Sequence, residues 1–139
     1  MGPPVTLVGR SLVAGTAEGR TVVLEEPLSF WGGVDPRTGL VIDGHHPQHG
    51  VSLAGSVLVL PAGRGSSSSS SVLAESIRAG TAPVAIVLSE PDPILALGAI
   101  VARELYGSVV PIVALDPAAF AVAAGARALR IDGGAVEPR

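Results

Sequence analysis

The sequence predicts an α/β fold in which a strand-built barrel or sandwich carries parallel βα units packed against it. Three observations lead there. Residues 5–60 hold short β-type runs broken by Gly and Pro. Residues 66–131 alternate helical and strand patterns instead. The run Val84-Ala85-Ile86-Val87-Leu88 is apolar throughout, as a strand covered on both faces must be. The 139 residues suffice for one domain with its own core, expected to span 1–139 with short flexible ends at about 1–4 and 133–139.

The elements follow in order. Residues 6–8, 11–13 and 21–24 read as short strands, and Ala17-Glu18-Gly19-Arg20 as a tight turn between two of them. Asp35-Pro36-Arg37-Thr38-Gly39 is a turn, because Pro presets one backbone angle and Gly accepts the left-handed one. Leu40-Val41-Ile42 and residues 56–60 read as buried strands. A helix over about 70–79 sets Val72, Leu73, Ser76 and Ile77 on one face, with Glu75 and Arg78 able to pair on the other. Gly80 ends it. After strand 84–88, Asp92 is the N-cap and Pro93 the first residue of a second helix, whose expected buried stripe is Ile94, Leu97, Val101 and Leu105. Strand 110–114, helix 117–124 and strand 128–131 complete the reading.

Composition narrows the chemistry. Apolar residues make up 47% and aromatics 3%, so the core is aliphatic. Only 15% of residues are charged and mean hydropathy is +0.53, which fits either a face buried on a partner or Ala-rich helices. Net charge is −3 with no basic run, so nothing neutralises a phosphate backbone and nucleic acid is excluded as a partner. With no cysteine, this chain forms no disulfide and supplies no thiolate to zinc or an iron–sulfur cluster. No basic-then-apolar signal opens the sequence, and no stretch of about 18 apolar residues is free of Pro, Asp or Glu. Met1-Gly2-Pro3-Pro4-Val5-Thr6 fits the formal myristoylation pattern, but prolines crowd the acceptor and we read it as chance. A cytoplasmic location without membrane contact is expected.

The segment "GRGSSSSSS", residues 63–71, follows the apolar run 57–60 directly. Serine tracts usually tether domains. Here a strand ends just before the tract and a helix starts within it, so the spacing is that of a βα loop. Gly63 and Gly65 flank Arg64 and allow close backbone approach. The loop would sit at a strand's carboxyl end and a helix's amino end, where free N–H groups favour negative charge. It lacks the Lys of a phosphate-binding P-loop and is not a G-x-S-x-G elbow. A hydroxyl here could bind a carboxylate or, as a stabilised alkoxide, remove a proton; the residues leave both open.

Four ordered blocks then stand out: Gly33-Val34-Asp35-Pro36-Arg37-Thr38-Gly39; Ile42-Asp43 with His46-Pro47; Pro61-Ala62-Gly63-Arg64-Gly65-Ser66-Ser67; and Arg78-Ala79-Gly80-Thr81-Ala82-Pro83. Together, over about residues 6–115, they resemble the small swivelling domain of aconitase X, a family of hydro-lyases. The resemblance implies a swivelling β/β/α domain and an active site shared with a large subunit. It implies that Ser66 is the catalytic base, that Ser67 and Ser68 line the substrate pocket, and that Gly63, Arg64 and Gly65 shape it. Ordinary aconitases follow their two serines with Arg-Glu-His, whereas Ser68-Ser69-Ser70 follow here, which disfavours citrate-type substrates. Arg64 or a partner residue is left to hold a small carboxylate or phosphate substrate. The implied activities are dehydration of cis-3-hydroxy-L-proline or of mevalonate 5-phosphate, and the Ala/Gly/Arg-rich composition favours the first. No cofactor is expected on this chain; iron or an iron–sulfur cluster is expected on the large subunit.

Asp43-Gly44-His45-His46-Pro47-Gln48-His49 invites a metal-site reading, but Pro47 denies the helical spacing of paired ligands, so no metal is assigned. Asp43 and His46 belong to the resemblance and are possible active-site neighbours, with no chemical step given to them or to His45 and His49. Phe30-Trp31 reads as either a core plug or a partner contact. The rival of another class is a non-catalytic swivel domain that binds a ligand or scaffolds a partner. A mobile phosphohistidine domain would need a histidine in the 63–71 loop, which has none.

Overall fold

The computed structural model describes residues 5–64 and 67–139. Eight strands form one barrel-like sheet: β1 (Leu7–Val8), β2 (Arg10–Val13), β3 (Thr16–Val23), β4 (Val57–Leu60), β5 (Ala85–Leu88), β6 (Ile112–Ala114), β7 (Ala128–Asp132) and β8 (Ala135–Pro138). Their order across the sheet is β1-β8-β7-β3-β4-β5-β6-β2. β3 to β6 run parallel where they pair, and the remaining pairings are antiparallel. The strands at the two ends of this order, β1 and β2, are consecutive in the chain and separated by Gly9 alone. One N-terminal segment therefore closes the sheet, pairing with β8 before Gly9 and with β6 after it. The closure is tight: a Cβ on Gly9 would lie 2.4 Å from the Ala114 carbonyl oxygen, and one on Gly134 would lie 2.6 Å from the Gly9 carbonyl oxygen.

Alternation along β4, β5 and β6 divides the interior. Leu58, Leu60, Ile86, Leu88 and Ile112 face a core shared with helices α2 (Ser69–Ala79) and α3 (Pro93–Tyr106). Val57, Val59, Ala85, Val87 and Val113 face a second core, where Leu129, Ile131 and Val136 meet Ala123 of α4 (Pro117–Ala124). Residues buried on both faces are why these strands read as unbroken apolar runs. The helix ends match the sequence reading. The Asp92 carboxylate accepts from the N–H groups of Ile94 and Leu95, Asp116 accepts from Ala119, and Gly80 takes a left-handed φ of 77° after α2. The α/β barrel with packed βα units is the observed architecture.

Four expectations are corrected. Residues 17–20 form no turn, because β3 runs straight through them and pairs with β7. Gly19 serves close packing there: its Cβ would stand 3.2 Å from the Gly55 carbonyl oxygen and 3.3 Å from Val84. Leu40-Val41-Ile42 is not a buried strand. Only Val41 is buried, and isolated bridges join Val34 to Val41 and Leu40 to Ser52. The stripe on α3 is turned: Leu95, Ala96, Gly98, Ala99 and Ala102 are buried, while Leu97 and Leu105 are exposed. Small residues face inward because α3 lies close on α2; a Cβ on Gly98 would be 2.6 Å from the Ser70 carbonyl oxygen. Finally, residues 133–138 are not a loose end but complete the β7–β8 hairpin that receives β1. The expected flexible start, residues 1–4, lies outside the described residues.

Candidate functional site

Parallel strands deliver their following loops to one edge of a sheet. Segment 61–68 leads from β4 into α2, and segment 89–92 leads from β5 into α3. Between them lies a cleft of about 220 Å³. Its apolar floor includes Leu28, Phe30 and Leu95, and its polar wall holds Gly63, Arg64, Ser69, Glu90 and Asp92. Phe30 begins a short, kinked helical turn, α1 (Phe30–Gly33). Leu28 forms a parallel bridge to Gly63, with its N–H directed to the Ala62 carbonyl at 3.4 Å and its carbonyl accepting from the Arg64 N–H at 3.2 Å. The start of the serine loop is thus held as a short strand extension. On its other side Gly63 lies against Asp92, and a Cβ there would sit 1.9 Å from Asp92 Oδ2.

The serines divide into distinct roles. Ser69 is buried, its hydroxyl accepting from the Trp31 N–H at 3.1 Å and standing 3.3 Å from Ser29 Oγ. Ser70 Oγ donates to the Ile94 carbonyl at 2.6 Å. Adjacent serines therefore tie the first turn of α2 to α1 on one side and to α3 on the other. Ser68 occupies the N-cap position of α2, and the Ser67 carbonyl accepts from the Ser70 N–H at 3.2 Å. Ser67, Ser70 and Ser71 also line a second groove, between α2 and α3, with Leu97, Val101 and Tyr106. The expected base Ser66 and its neighbour Gly65 lie outside the described residues.

Of the other residues singled out from sequence, Gly63 and Arg64 meet at the cleft, whereas Asp43 and His46 are not among its lining. His46 is buried, with Nε2 3.0 Å from the Glu26 carbonyl and Nδ1 accepting from the Gln48 N–H at 3.0 Å. An Nδ1 that accepts leaves the ring hydrogen on Nε2, which donates to Glu26. Gln48 in turn accepts from the Glu25 N–H through Oε1 at 3.0 Å. His46 thereby pins the 43–49 loop to the chain leading to Leu28. Asp43 caps its own turn by accepting from the His45 N–H at 2.9 Å. Among the described residues no group of three His, Asp or Glu side chains is placed to hold a metal ion. No described helix is long and apolar enough to cross a membrane. Phe30 and Trp31 part company: Phe30 is buried and Trp31 is 59% exposed.

The sequence reading missed Ser69, Glu90 and the second contact of Asp92. Six identical serines carry no sign of which one points inward. Glu90 was accessible in principle, because Ser89-Glu90-Pro91-Asp92 follows a parallel strand as the serine loop does. Among the described residues neither Arg64 nor Glu90 enters an ion pair. The site so far offers one cation, two carboxylates and a buried hydroxyl around a small cleft.

Comparison with known proteins agrees with this architecture. The sequence model described as the aconitase X swivel domain matches residues 6–137. A cis-3-hydroxy-L-proline dehydratase of Pseudomonas aeruginosa is 58% identical over 109 residues, 78% of this chain and 19% of that protein. One from Hypocrea jecorina is 43% identical, covering 92% of this chain and 22% of the relative. The chain thus spans about a fifth of the length of these two relatives. A phosphomevalonate dehydratase small subunit of Methanosarcina acetivorans is 44% identical over 72% of this chain and 69% of its own. Among solved structures, that of Thermococcus kodakaraensis aconitase X in its holo-form superposes with a TM-score of 0.83 at 38% identity, covering 99% of both chains. Matched over nearly its whole length in sequence and in fold, the chain belongs to the aconitase X swivel-domain family.

Proposed function

We propose that this chain is the small, swivelling subunit of an aconitase X-type hydro-lyase that dehydrates cis-3-hydroxy-L-proline. The observation that carries the substrate is the 58% identity to a dehydratase of that name, against 44% and 48% for phosphomevalonate dehydratase small subunits of Methanosarcina acetivorans and Thermococcus onnurineus. One observation favours the second substrate, mevalonate 5-phosphate: this chain covers 69% and 74% of those two small subunits, a much closer match in length.

In this reading the Ser66 hydroxyl is the base. A serine is basic only as its alkoxide, so the loop must stabilise negative oxygen with N–H donors and with the guanidinium of Arg64, two residues before it in sequence. The proton on C2 of the substrate passes to that oxygen, the C–H pair forms the C2–C3 double bond, and the 3-hydroxyl departs to become water. Gly63, Arg64, Gly65, Ser67 and Ser68 shape the surroundings. An iron or iron–sulfur centre would have to be held by the large subunit, since this chain offers no thiolate, and would supply Lewis acidity for the leaving hydroxyl. The groove beside Ser67, with exposed Leu97 and Tyr106, supports a partner packed next to the loop.

The test is co-expression with an aconitase X-type large chain and assay on both substrates. Turnover of cis-3-hydroxy-L-proline by the pair, absent from either chain alone and lost in Ser66→Ala with assembly intact, is the expected result. Undiminished turnover in Ser66→Ala removes the base assignment. Turnover of mevalonate 5-phosphate alone replaces the substrate.

A further inference from the structure

The cleft wall is electrically divided, and this bears on which substrates it admits. Arg64 stands on the side where the serine loop enters α2, and the amino end of that helix adds to the positive side. Glu90 and Asp92 also line it, on the segment entering α3. Asp92 spends one oxygen on the N–H groups of Ile94 and Leu95, so it cancels the positive end of α3, and its other oxygen is pressed on Gly63. Glu90 has no such employment: among the described residues it forms no ion pair or hydrogen bond, and it is exposed at the cleft. Arg64 likewise has no side-chain partner among the described residues, although its backbone is fixed through Leu28. Two opposite charges line one small cleft without neutralising each other.

A dianion such as a phosphate ester of a hydroxy acid meets attraction on one wall and repulsion on the other. A zwitterion meets attraction on both. We propose that Glu90 is a specificity-determining residue that takes the ring ammonium of a cyclic imino acid while Arg64 takes its carboxylate, so that the cleft selects a zwitterionic substrate over an all-anionic one. The proposal rests on the reading of the protein as a cis-3-hydroxy-L-proline dehydratase subunit and adds a residue that discriminates. A carboxylate facing a secondary ammonium makes a charge-assisted hydrogen bond in which the acceptor needs its full negative charge.

The experiment uses the assembled two-subunit enzyme and two competitive inhibitors of equal shape. L-Proline carries the ring ammonium; tetrahydrofuran-2-carboxylate replaces it with an ether oxygen and keeps the carboxylate. Wild-type enzyme is expected to prefer L-proline by roughly 10- to 100-fold in Ki. Glu90→Gln, an exposed and near-isosteric change that leaves the thermal midpoint in place, is expected to abolish that preference. It should raise KM for cis-3-hydroxy-L-proline by a similar factor with kcat nearly constant, and Glu90→Asp should fall between. Arg64→Gln should weaken both inhibitors alike and preserve their ratio. An active wild-type enzyme without preference, or an unchanged preference in Glu90→Gln, overturns the assignment and leaves the dehydratase reading standing. No turnover of cis-3-hydroxy-L-proline by the wild-type pair overturns both.

Discussion

Gly63 lies so close on Asp92 that a Cβ at residue 63 would overlap Asp92 Oδ2 at 1.9 Å. The N-cap of α3 is therefore also a wall of the serine loop, and the two parallel βα units are keyed to each other at the cleft.

That contact predicts non-additivity. Gly63→Ala forces the Asp92 side chain or the loop to move, and is expected to cost about 1–3 kcal/mol. Asp92→Ala removes the cap of α3, at about 0.5–2 kcal/mol. In the double variant the methyl group fills space the carboxylate has vacated, so the combined loss should be smaller than the sum. Denaturant midpoints of the four proteins of the cycle measure it, and simple additivity would show that the residues do not touch.

His46 should act as a structural histidine. Nitrogen chemical shifts are expected to report hydrogen on Nε2 and a lone pair on Nδ1, as its bonds to Glu26 and Gln48 require. His46→Ala removes a buried ring and the partner of the Glu26 carbonyl and the Gln48 N–H, for a loss of about 1–3 kcal/mol. Added zinc or iron should give no ligand-field or shift change at His45, His46 or His49.

Acid should loosen the 35–39 turn. Hydrogen bonds from the Arg37 side chain and then its N–H, aided by the guanidinium charge, hold the Asp35 carboxyl below the ordinary aspartate range. A carboxyl whose folded pKa is depressed stabilises the fold above its unfolded pKa. That contribution fades as pH falls through the lower, folded value. Proton NMR titration of Asp35 should show the low midpoint, and Arg37→Ala should raise it. An identical midpoint in the variant would refute the pairing.

The seam at Gly9 should be intolerant. Gly9→Ala places a methyl group against the Ala114 carbonyl and Leu115, which belong to β6 and its continuation. A loss of about 2–4 kcal/mol is expected, read as a lower thermal midpoint. Gly32→Ala, where nothing lies within 4 Å but φ is +78°, separates backbone strain from collision.

What the sequence made legible depended on signals with one cause. Asp92-Pro93 and Asp116-Pro117 mark helix starts because a helical pattern without an early Gly follows each, unlike Asp35-Pro36, whose Gly39 makes it a turn, and the structure places both there. The unbroken apolar runs of β4 and β5 have a single explanation in two-sided burial. Glycine was ambiguous. At Gly39 it serves a left-handed turn, as read, but at Gly19 it serves close packing inside a long strand. The α3 stripe was misread because Gly98, Ala99 and Ala102 pack where larger residues do not fit, which reverses the usual link between side-chain size and burial. At the site, the loop was found from its position after a strand. Ser69 and Glu90 were not, since inward pointing and facing charges across a cleft are products of tertiary assembly.

Leu7 pairs with Val136, nearly the full chain apart, and the same segment meets Val113 through Ser11. Closing the ring therefore joins segments far apart in sequence and carries a large loop-entropy barrier. Until β1 and β2 are seated, the edges of β8 and β6 stay open to foreign strands, so slow closure is the point at which this fold is exposed to aggregation.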